Sequence, residues 1–448
     1  MYENEPDTNR KAVLVAVQRS HVEDVEFAES LAELRRLAKT LEFEIAGTCT
    51  QRRPTFHAGT YLGSGKLVEL KVLLERSTAD TILVDHEISP SQARNLEKAT
   101  RAVVMDRTAV ILEIFHRHAR SRAAKAQVEI VRLQYMAPRL REQAMGRDRQ
   151  RGGIGGRGAG ESNLELDRRK IRDRVAELTA ELSSLEQERR TQRARRRDLA
   201  RVALVGYTNA GKSTLMRALT GSEAYVADKL FATLDTTVRT LVPETRPRIL
   251  VADTVGFIKS LPHGLVASFK STLAEALEAS LLAHVVDASD PGFERQLEVT
   301  AEVLTEIGAG EVPRLLVFNK IDRVGDEVAR KEAVAALLAR WPDALVMSAK
   351  SEADVARLHA ELAAFFTQDL VEAELRVPWD RQQLRGEIFA ACEVVEERTE
   401  ADAAVFRVLA GHAARPRGGR PTPRAPSRWA SLCLRDPPRP AAEFHPLE

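Results

Sequence analysis

The residues with the plainest chemical purpose are Gly206-Tyr207-Thr208-Asn209-Ala210-Gly211-Lys212-Ser213. They follow the apolar run Val202 to Val205 and open a helical stretch. Glycines there let backbone amides curl around a phosphate, and a helix amino terminus adds favourable positive potential. In this pattern Lys212 reaches the β- and γ-phosphates and Ser213 ligates magnesium. About forty residues on, Asp253-Thr254-Val255-Gly256 ends a second apolar run, Ile249 to Ala252. Asp253 is placed to hold magnesium through a water, and the Gly256 amide to sense a γ-phosphate.

Two further clusters point to the base. Asn319-Lys320-Ile321-Asp322 follows the run Leu315 to Phe318, and Ser348-Ala349-Lys350 follows Ala344 to Met347. A carboxylate at Asp322 accepts hydrogen bonds from guanine N1 and N2, whereas adenine presents a bare acceptor and would leave it unpaired. Asn319 either reaches the other edge of the base or braces the phosphate loop. A backbone amide of Ser348-Ala349-Lys350 meets the guanine oxygen. Order, spacing and strand placement agree on GTP as substrate.

Between the phosphate loop and Asp253 lies Leu230-Phe231-Ala232-Thr233-Leu234-Asp235-Thr236-Thr237. One of its threonines should put its hydroxyl on magnesium and its amide on the γ-phosphate, so that the segment orders with GTP. Thr233 is favoured and Thr237 is the alternative. Phe257 follows Gly256, where Ras-like enzymes carry a water-orienting Gln, so unaided hydrolysis should be slow. The missing group must come from a partner, a switch loop or a cation. Asn209 could ligate a potassium ion bridging the phosphates, or it could simply brace its loop.

These side chains need elements to hold them. From residue 201 to 368 apolar runs alternate with helical stretches, which predicts a doubly wound Ras-like sheet. Leu282 to Val286 supplies a further strand. Residues 1–115 predict a smaller α/β domain, with strands at Ala12 to Val17, Glu44 to Thr50, Thr81 to Val84 and Ala102 to Met105, and helices over Phe27 to Leu41 and Leu67 to Glu75. Residues 116–200 predict a helical hairpin, closed by the seam Ile171, Val175, Leu178, Leu182 and Leu185 and joined by a Gly-rich loop over 146–161. Residues 369–410 suggest a small C-terminal α/β piece, with strands at Glu374 to Val377 and Val405 to Leu409. The tail 411–448 is read as disordered; from His412 on it holds 8 prolines and 7 arginines.

Composition bounds the alternatives. The chain has 448 residues, 44% hydrophobic and 29% charged, with a net charge of +2. No apolar run approaches a membrane span, the first ten residues carry no signal-peptide core, and Cys49, Cys392 and Cys433 are scattered. A cytoplasmic protein is expected. Residues 117–201 carry 23 Lys/Arg against 12 Asp/Glu, a local surplus of +11 hidden by the near-neutral total. Such a segment is either a solvated helical face or a nucleic-acid contact. The Gly/Arg loop favours the second, with Arg147, Arg149, Arg151 and Arg157 as candidate RNA contacts.

Several motifs carry a resemblance to one family. They are Tyr61-Leu62-Gly63-Ser64-Gly65-Lys66, the stretch Asp85-His86-Glu87-Ile88-Ser89-Pro90 through Leu96, Gly152-Gly153-Ile154-Gly155 through Glu161, Asp167-Arg168-Arg169, Leu230 to Asp235, and Ala252 to Ile258 with Leu261-Pro262-His263. With these, residues 12–400 or so resemble the HflX family of ribosome-associated GTPases. The resemblance implies binding to the large (50S) ribosomal subunit and its RNA, GTP-dependent splitting or rescue of stalled ribosomes, and stimulation of hydrolysis by the ribosome. It also implies a hairpin reaching toward the peptidyl-transferase region, and ATP use through the amino-terminal region in some relatives. Ser162-Asn163 and Thr236 depart from the usual Thr-Gln and Pro, and the Pro/Arg-rich tail departs from the usual C-terminal ending. That tail is either a lineage-specific extension or a change of reading frame. A monomer is expected. The competing readings are a GTPase of tRNA or rRNA maturation or modification and a non-catalytic, nucleotide-dependent RNA-binding protein.

Overall fold

The computed structural model describes residues 10–148, 159–194, 199–221, 230–231, 234, 236–259, 274–368, 370–391 and 393–411. The chain divides into two units, one of residues 1–244 and 248–359, the other of residues 245–247 and 360–448.

The larger unit begins with a four-stranded sheet. Strands β1 (Lys11–Arg19), β2 (Glu44–Arg53), β3 (Thr81–Val84) and β4 (Val103–Asp106) are all parallel, in the order β2-β1-β3-β4. Helices α1 (Asp24–Thr40), α2 (Ser64–Ser77) and α3 (Pro90–Thr100) make the crossovers. Central β1 and β3 read as unbroken apolar runs because a crossover sheet is covered on both faces; Ala12 to Val17 and Ile82 to Val84 are buried. The sequence reading passed over α3. Its start is nonetheless written locally, as a Ser89/Gln92 capping box with Pro90 in the first turn.

Two helices, α4 (Arg107–His118) and α5 (Arg122–Asp148), lead into the hairpin. Asp106 caps the first, Ala119 leaves the helical region, and the Ser121 hydroxyl accepts from the Ala124 amide to start the second. A long helix α6 (Ala159–Ala194) returns along α5. Their seam buries Ala126, Ile130 and Leu178, with Leu133, Val175 and Leu182 packed alongside. Leu178, Val175 and Leu182 are the middle of the seam read from the sequence.

The second sheet of this unit runs β10-β9-β8-β5-β7-β6. Its strands are β5 (Ala200–Val205), β6 (Thr237–Thr240), β7 (Ile249–Asp253), β8 (Leu281–Asp287), β9 (Arg314–Asn319) and β10 (Leu345–Val346). All pairings are parallel except β6 on β7. Helices α7 (Lys212–Thr220), α8 (Ala274–Leu277), α9 (Phe293–Glu306), α10 (Glu327–Arg340) and α11 (Glu352–Thr367) follow their strands in the doubly wound pattern. Strand β6 was not anticipated. It is a four-residue edge strand, Thr-Val-Arg-Thr, and Thr237 stands opposite Asp253 in the ladder.

The smaller unit holds an antiparallel sheet, β11-β13-β12, and helix α12 (Gln383–Ala391). Here β11 is Leu370–Pro378, β12 Glu393–Thr399 and β13 Ala403–Gly411. Leu375, Val377, Ile388, Ala404, Phe406 and Val408 form its core. Strand β12, rich in Glu and Arg, lies at the edge of this sheet and carries too little apolar alternation to be read as a strand in advance. The tail read as disordered lies, from residue 412 on, outside the described residues.

Candidate nucleotide site

The phosphate loop sits between the carboxyl end of β5 and the start of α7. Two of its glycines are compelled by geometry. Gly206 has φ +144°, and a Cβ there would stand 2.1 Å from the Val285 carbonyl oxygen. Gly211 has φ +100°, and a Cβ would stand 2.2 Å from Asn319 Nδ2. Only a residue without a side chain lets neighbouring strands approach this closely. Asn209 also takes a left-handed conformation, φ +62°, which Asn tolerates better than most residues. Ala210 is buried beneath the loop.

Lys212 is buried, and its ammonium donates to the carbonyls of Gly206 (3.0 Å) and Tyr207 (2.8 Å). Burial pushes its pKa down to about 8, with Asp253 opposing that shift and Lys320 adding to it. The Ser213 hydroxyl donates to Asp253 Oδ2 at 2.9 Å. Two hard oxygens so close suit magnesium, which takes one or two protein oxygens and completes its shell with phosphate and water. Among the described residues no cluster of three His, Cys, Asp or Glu side chains could hold a metal by itself.

The Asp253-to-Phe257 segment lies directly against the loop. Thr254 donates to the Leu204 carbonyl at 2.7 Å, and Val255 is buried. A Cβ on Gly256 would stand 2.7 Å from Thr208 Cα and 3.0 Å from Lys212 Nζ. The Phe257 amide donates to the Gly206 carbonyl (3.1 Å), and the Thr208 amide donates to the Phe257 carbonyl (2.7 Å). The Phe257 ring is buried. On the other side, the Phe231 amide donates to the Thr208 hydroxyl at 3.2 Å, and Leu230, Phe231 and Leu234 are buried. Ala232, Thr233 and Asp235 lie outside the described residues.

The base-reading residues converge as well. Asn319 donates through Nδ2 to the Ala210 carbonyl (2.9 Å) and accepts from the Ala349 amide (2.9 Å). Of its two expected roles, the structure places it in the brace. Lys320, at φ +63°, donates to the Asn209 carbonyl (2.5 Å) and to Asp287 Oδ2 (2.8 Å). Ile321 is buried, and Asp322 accepts from the Ser348 hydroxyl (2.7 Å) and from Lys350 Nζ (3.1 Å). Partial burial pushes the Asp322 carboxyl up, but the Ser348 and Lys350 hydrogen bonds and the Lys350 charge outweigh it, so the net shift is downward. An ionised carboxylate is what guanine needs.

Three participants escaped the sequence reading. Asp287, at the end of β8, anchors Lys320, and the apolar run Leu282 to Val286 ending in an acid was a usable signal. Asp354, near the start of α11, accepts from the Ser348 amide at 2.9 Å. Glu33, far away in α1, accepts from the Tyr207 hydroxyl, and nothing in its local sequence marks it. The Gly63-Ser64-Gly65-Lys66 segment opens α2 rather than wrapping a loop: the Gly63 amide donates to Gln51 Oε1 (2.9 Å), and Lys66 pairs with Glu69 (2.6 Å). Of the proposed RNA contacts, Arg147 lies near the end of α5, while Arg149, Arg151 and Arg157 fall outside the described residues. No helix among the described residues is long and apolar enough to cross a membrane.

The chain is similar to known proteins. Three family profiles match the chain: "GTP-binding GTPase N-terminal" over residues 28–116, "GTP-binding GTPase Middle Region" over 118–196 and "50S ribosome-binding GTPase" over 201–320. A protein of Gluconacetobacter diazotrophicus named GTPase HflX is 53% identical over 435 residues, covering 89% of this chain and 95% of that protein. The Escherichia coli GTPase HflX is 38% identical over 404 residues, covering 89% and 93%. Among solved structures, a GTP-binding protein of Sulfolobus solfataricus in complex with GDP is 24% identical, with a TM-score of 0.43, and covers 80% of this chain and 99% of its own.

Proposed function

The chain belongs to the HflX family of GTPases, and on that premise we propose that it binds the large ribosomal subunit and couples its GTP cycle to splitting or rescue of stalled ribosomes. The activity itself is hydrolysis of GTP to GDP and phosphate. The observation that carries the ribosomal reading is the union, in one unit, of a guanine-selective phosphate-loop site with an Arg-rich helical hairpin. The 50S ribosome-binding profile over residues 201–320 supports it.

In the reaction Lys212 holds the β- and γ-phosphate oxygens, and the Gly256 amide donates to the γ-phosphate. Ser213, Thr233 and Asp253 would hold magnesium, Asp253 through a water, and the bound ion would supply positive charge to offset the negative charge of the phosphate oxygens. Asp322 reads guanine, and Asn319 keeps the phosphate loop in register with Ser348-Ala349-Lys350. Phe257 has no group with which to align water, so unaided turnover is slow and the ribosome accelerates it. Asn209 would hold potassium, which would supply the positive charge that an arginine finger supplies in other GTPases. Arg147, Arg149, Arg151 and Arg157 contact ribosomal RNA phosphates.

Steady-state GTP hydrolysis with and without purified 50S subunits, in potassium and in sodium, tests this. Stimulation by 50S subunits is expected, greater in potassium. Turnover indifferent to 50S would overturn the ribosomal reading, and equal turnover in the two salts would remove potassium. Replacing the four arginines with Ala should weaken subunit binding and flatten its salt dependence.

A further inference from the structure

The order β2-β1-β3-β4 reverses direction between β1 and β3, and open parallel sheets bind ligands at the carboxyl ends of strands beside such a reversal. Here that crevice is filled by side chains. Asp85 follows β3 and accepts from Ser30 Oγ (2.7 Å) and from the Arg107 guanidinium (2.9 Å). Arg107 also pairs with Glu33. The remaining oxygen of Glu33 accepts from the hydroxyl of Tyr207, which belongs to the phosphate loop (2.5 Å). That same hydroxyl accepts from the backbone amide of Lys259 (2.8 Å). Glu33, Asp85, Arg107 and Tyr207 are 6, 4, 3 and 7% exposed. Burial first, and then the Glu33 charge, raise the Tyr207 pKa far above neutrality, so the hydroxyl keeps its proton.

Lys259 lies three residues beyond Gly256. The segment between is therefore pinned at Phe257 by the loop backbone and at the Lys259 amide by Tyr207, while the Lys259 ammonium separately pairs with Glu26 of α1 (2.6 Å). The first pin is intrinsic to the GTPase sheet. The second depends on Glu33, a residue of the other sheet. A hydroxyl that must donate to a fixed carboxylate has its lone pair aimed in one direction only, so Glu33 decides where the Lys259 amide is held. Because Phe257 cannot orient water, the backbone of this segment has to stand correctly without side-chain help.

We propose that Glu33, clamped by Arg107 and Asp85, is a positioning residue for GTP hydrolysis, acting through the Tyr207 hydroxyl on the backbone from Gly256 to Lys259. This rests on the GTPase assignment and goes beyond it by giving the amino-terminal sheet a part in the chemical step. The Arg36–Asp290 pair (3.3 Å) joins α1 to the turn after β8 of the GTPase sheet, away from the Tyr207 hydroxyl and the Lys259 amide, and so supplies a control.

The test is single-turnover hydrolysis at saturating GTP by the full chain and its Tyr207→Phe, Glu33→Ala, Tyr207→Phe/Glu33→Ala and Arg36→Ala variants. Tyr207→Phe keeps the ring and removes only the hydroxyl. It should lower the rate constant about tenfold while GTP affinity stays within about twofold. Glu33→Ala should do the same, and the double variant should be no slower than either single, since both break one chain of contacts. Arg36→Ala should match wild type. Additive losses, a faster Tyr207→Phe, a Tyr207→Phe change confined to affinity, or an equal loss in Arg36→Ala would each overturn the proposal. Should Glu33→Ala fail to fold, Tyr207→Phe and the control still decide. Absence of wild-type turnover would instead strike at the GTPase reading itself.

Discussion

Two sheets in one unit, one parallel and one parallel but for its edge strand β6, meet the same topological problem and solve it oppositely. Each gathers its strand ends around a reversal of strand order, where backbone amides and loop residues converge. In the GTPase sheet that place is kept for a ligand by glycines at φ +144° and +100°, a buried lysine and an acid beside a serine. In the amino-terminal sheet it is filled from within by Glu33, Asp85 and Arg107. Strand architecture offers a site, and the side chains at the strand ends determine whether it receives a ligand or a neighbouring domain. A buried charge cluster is costly to desolvate; here both terminal nitrogens of Arg107 are paired with carboxylates, while its Nε is buried without a hydrogen-bond partner. The Tyr207 hydroxyl, from the other sheet, takes the corner of Glu33 that Arg107 leaves.

The contrast can be broken by removing one group at a time. Arg107→Met leaves two buried carboxylates without their cation and should cost about 3 to 5 kcal/mol in urea unfolding. A loss under about 1 kcal/mol would mean the cluster is not the keystone described. Lys212→Ala should cut hydrolysis by about a hundred- to a thousandfold, yet leave the unfolding free energy at neutral pH no lower than that of the wild type, because burying the ammonium costs the fold rather than supporting it. A large stability loss there would erase the distinction between the two strand ends. Asp322→Asn should weaken GTP binding about a hundredfold, read by competition with a labelled nucleotide, and leave ATP binding as poor as before.

A smaller effect follows from protonation. The Lys212 pKa is depressed to about 8 in the free protein from an ordinary 10.5. Nucleotide phosphates favour the charged form, so binding above pH 8 takes up a proton. Affinity should therefore fall by about tenfold per pH unit above that point and stay flat below it. The free protein's stability should run the other way, rising from pH 8 to 10.5 because the unfolded lysine holds more proton there. Lys212→Met should abolish both slopes, and a pH-independent affinity in the wild type would refute the assignment. The least effect belongs to the exposed Arg122–Glu181 pair between α5 and α6, with Arg122 77% exposed. Arg122→Ala should change stability by less than about 0.5 kcal/mol.

Legibility varied with how local the physics was. The phosphate loop, Asp253-to-Gly256, Asn319-to-Asp322 and Ser348-to-Lys350 could be read as strings because each sits on one turn at one strand end. Asp287 was half legible, an acid closing an apolar run. The break between α4 and α5 was hidden in the sequence: the apolar periodicity continues through Ala119, and only the Ser121 cap interrupts it. Strands β6 and β12 were hidden too, since edge strands carry little of the apolar signal that buried strands show. Glu33 was illegible: in α1 it is one acid among several, and only packing makes it buried.

What the sequence determined by itself was the ligand chemistry. Glycine spacing, a lysine, a serine and acids at the strand ends point to a guanine nucleotide through patterns that span only a few residues each, and patterns that short follow local backbone geometry. Only the tertiary structure decided what surrounds that site. A hydroxyl in the phosphate loop meets a carboxylate 174 positions away in the chain. Pairings of that kind depend on how two sheets dock, and no local pattern encodes docking.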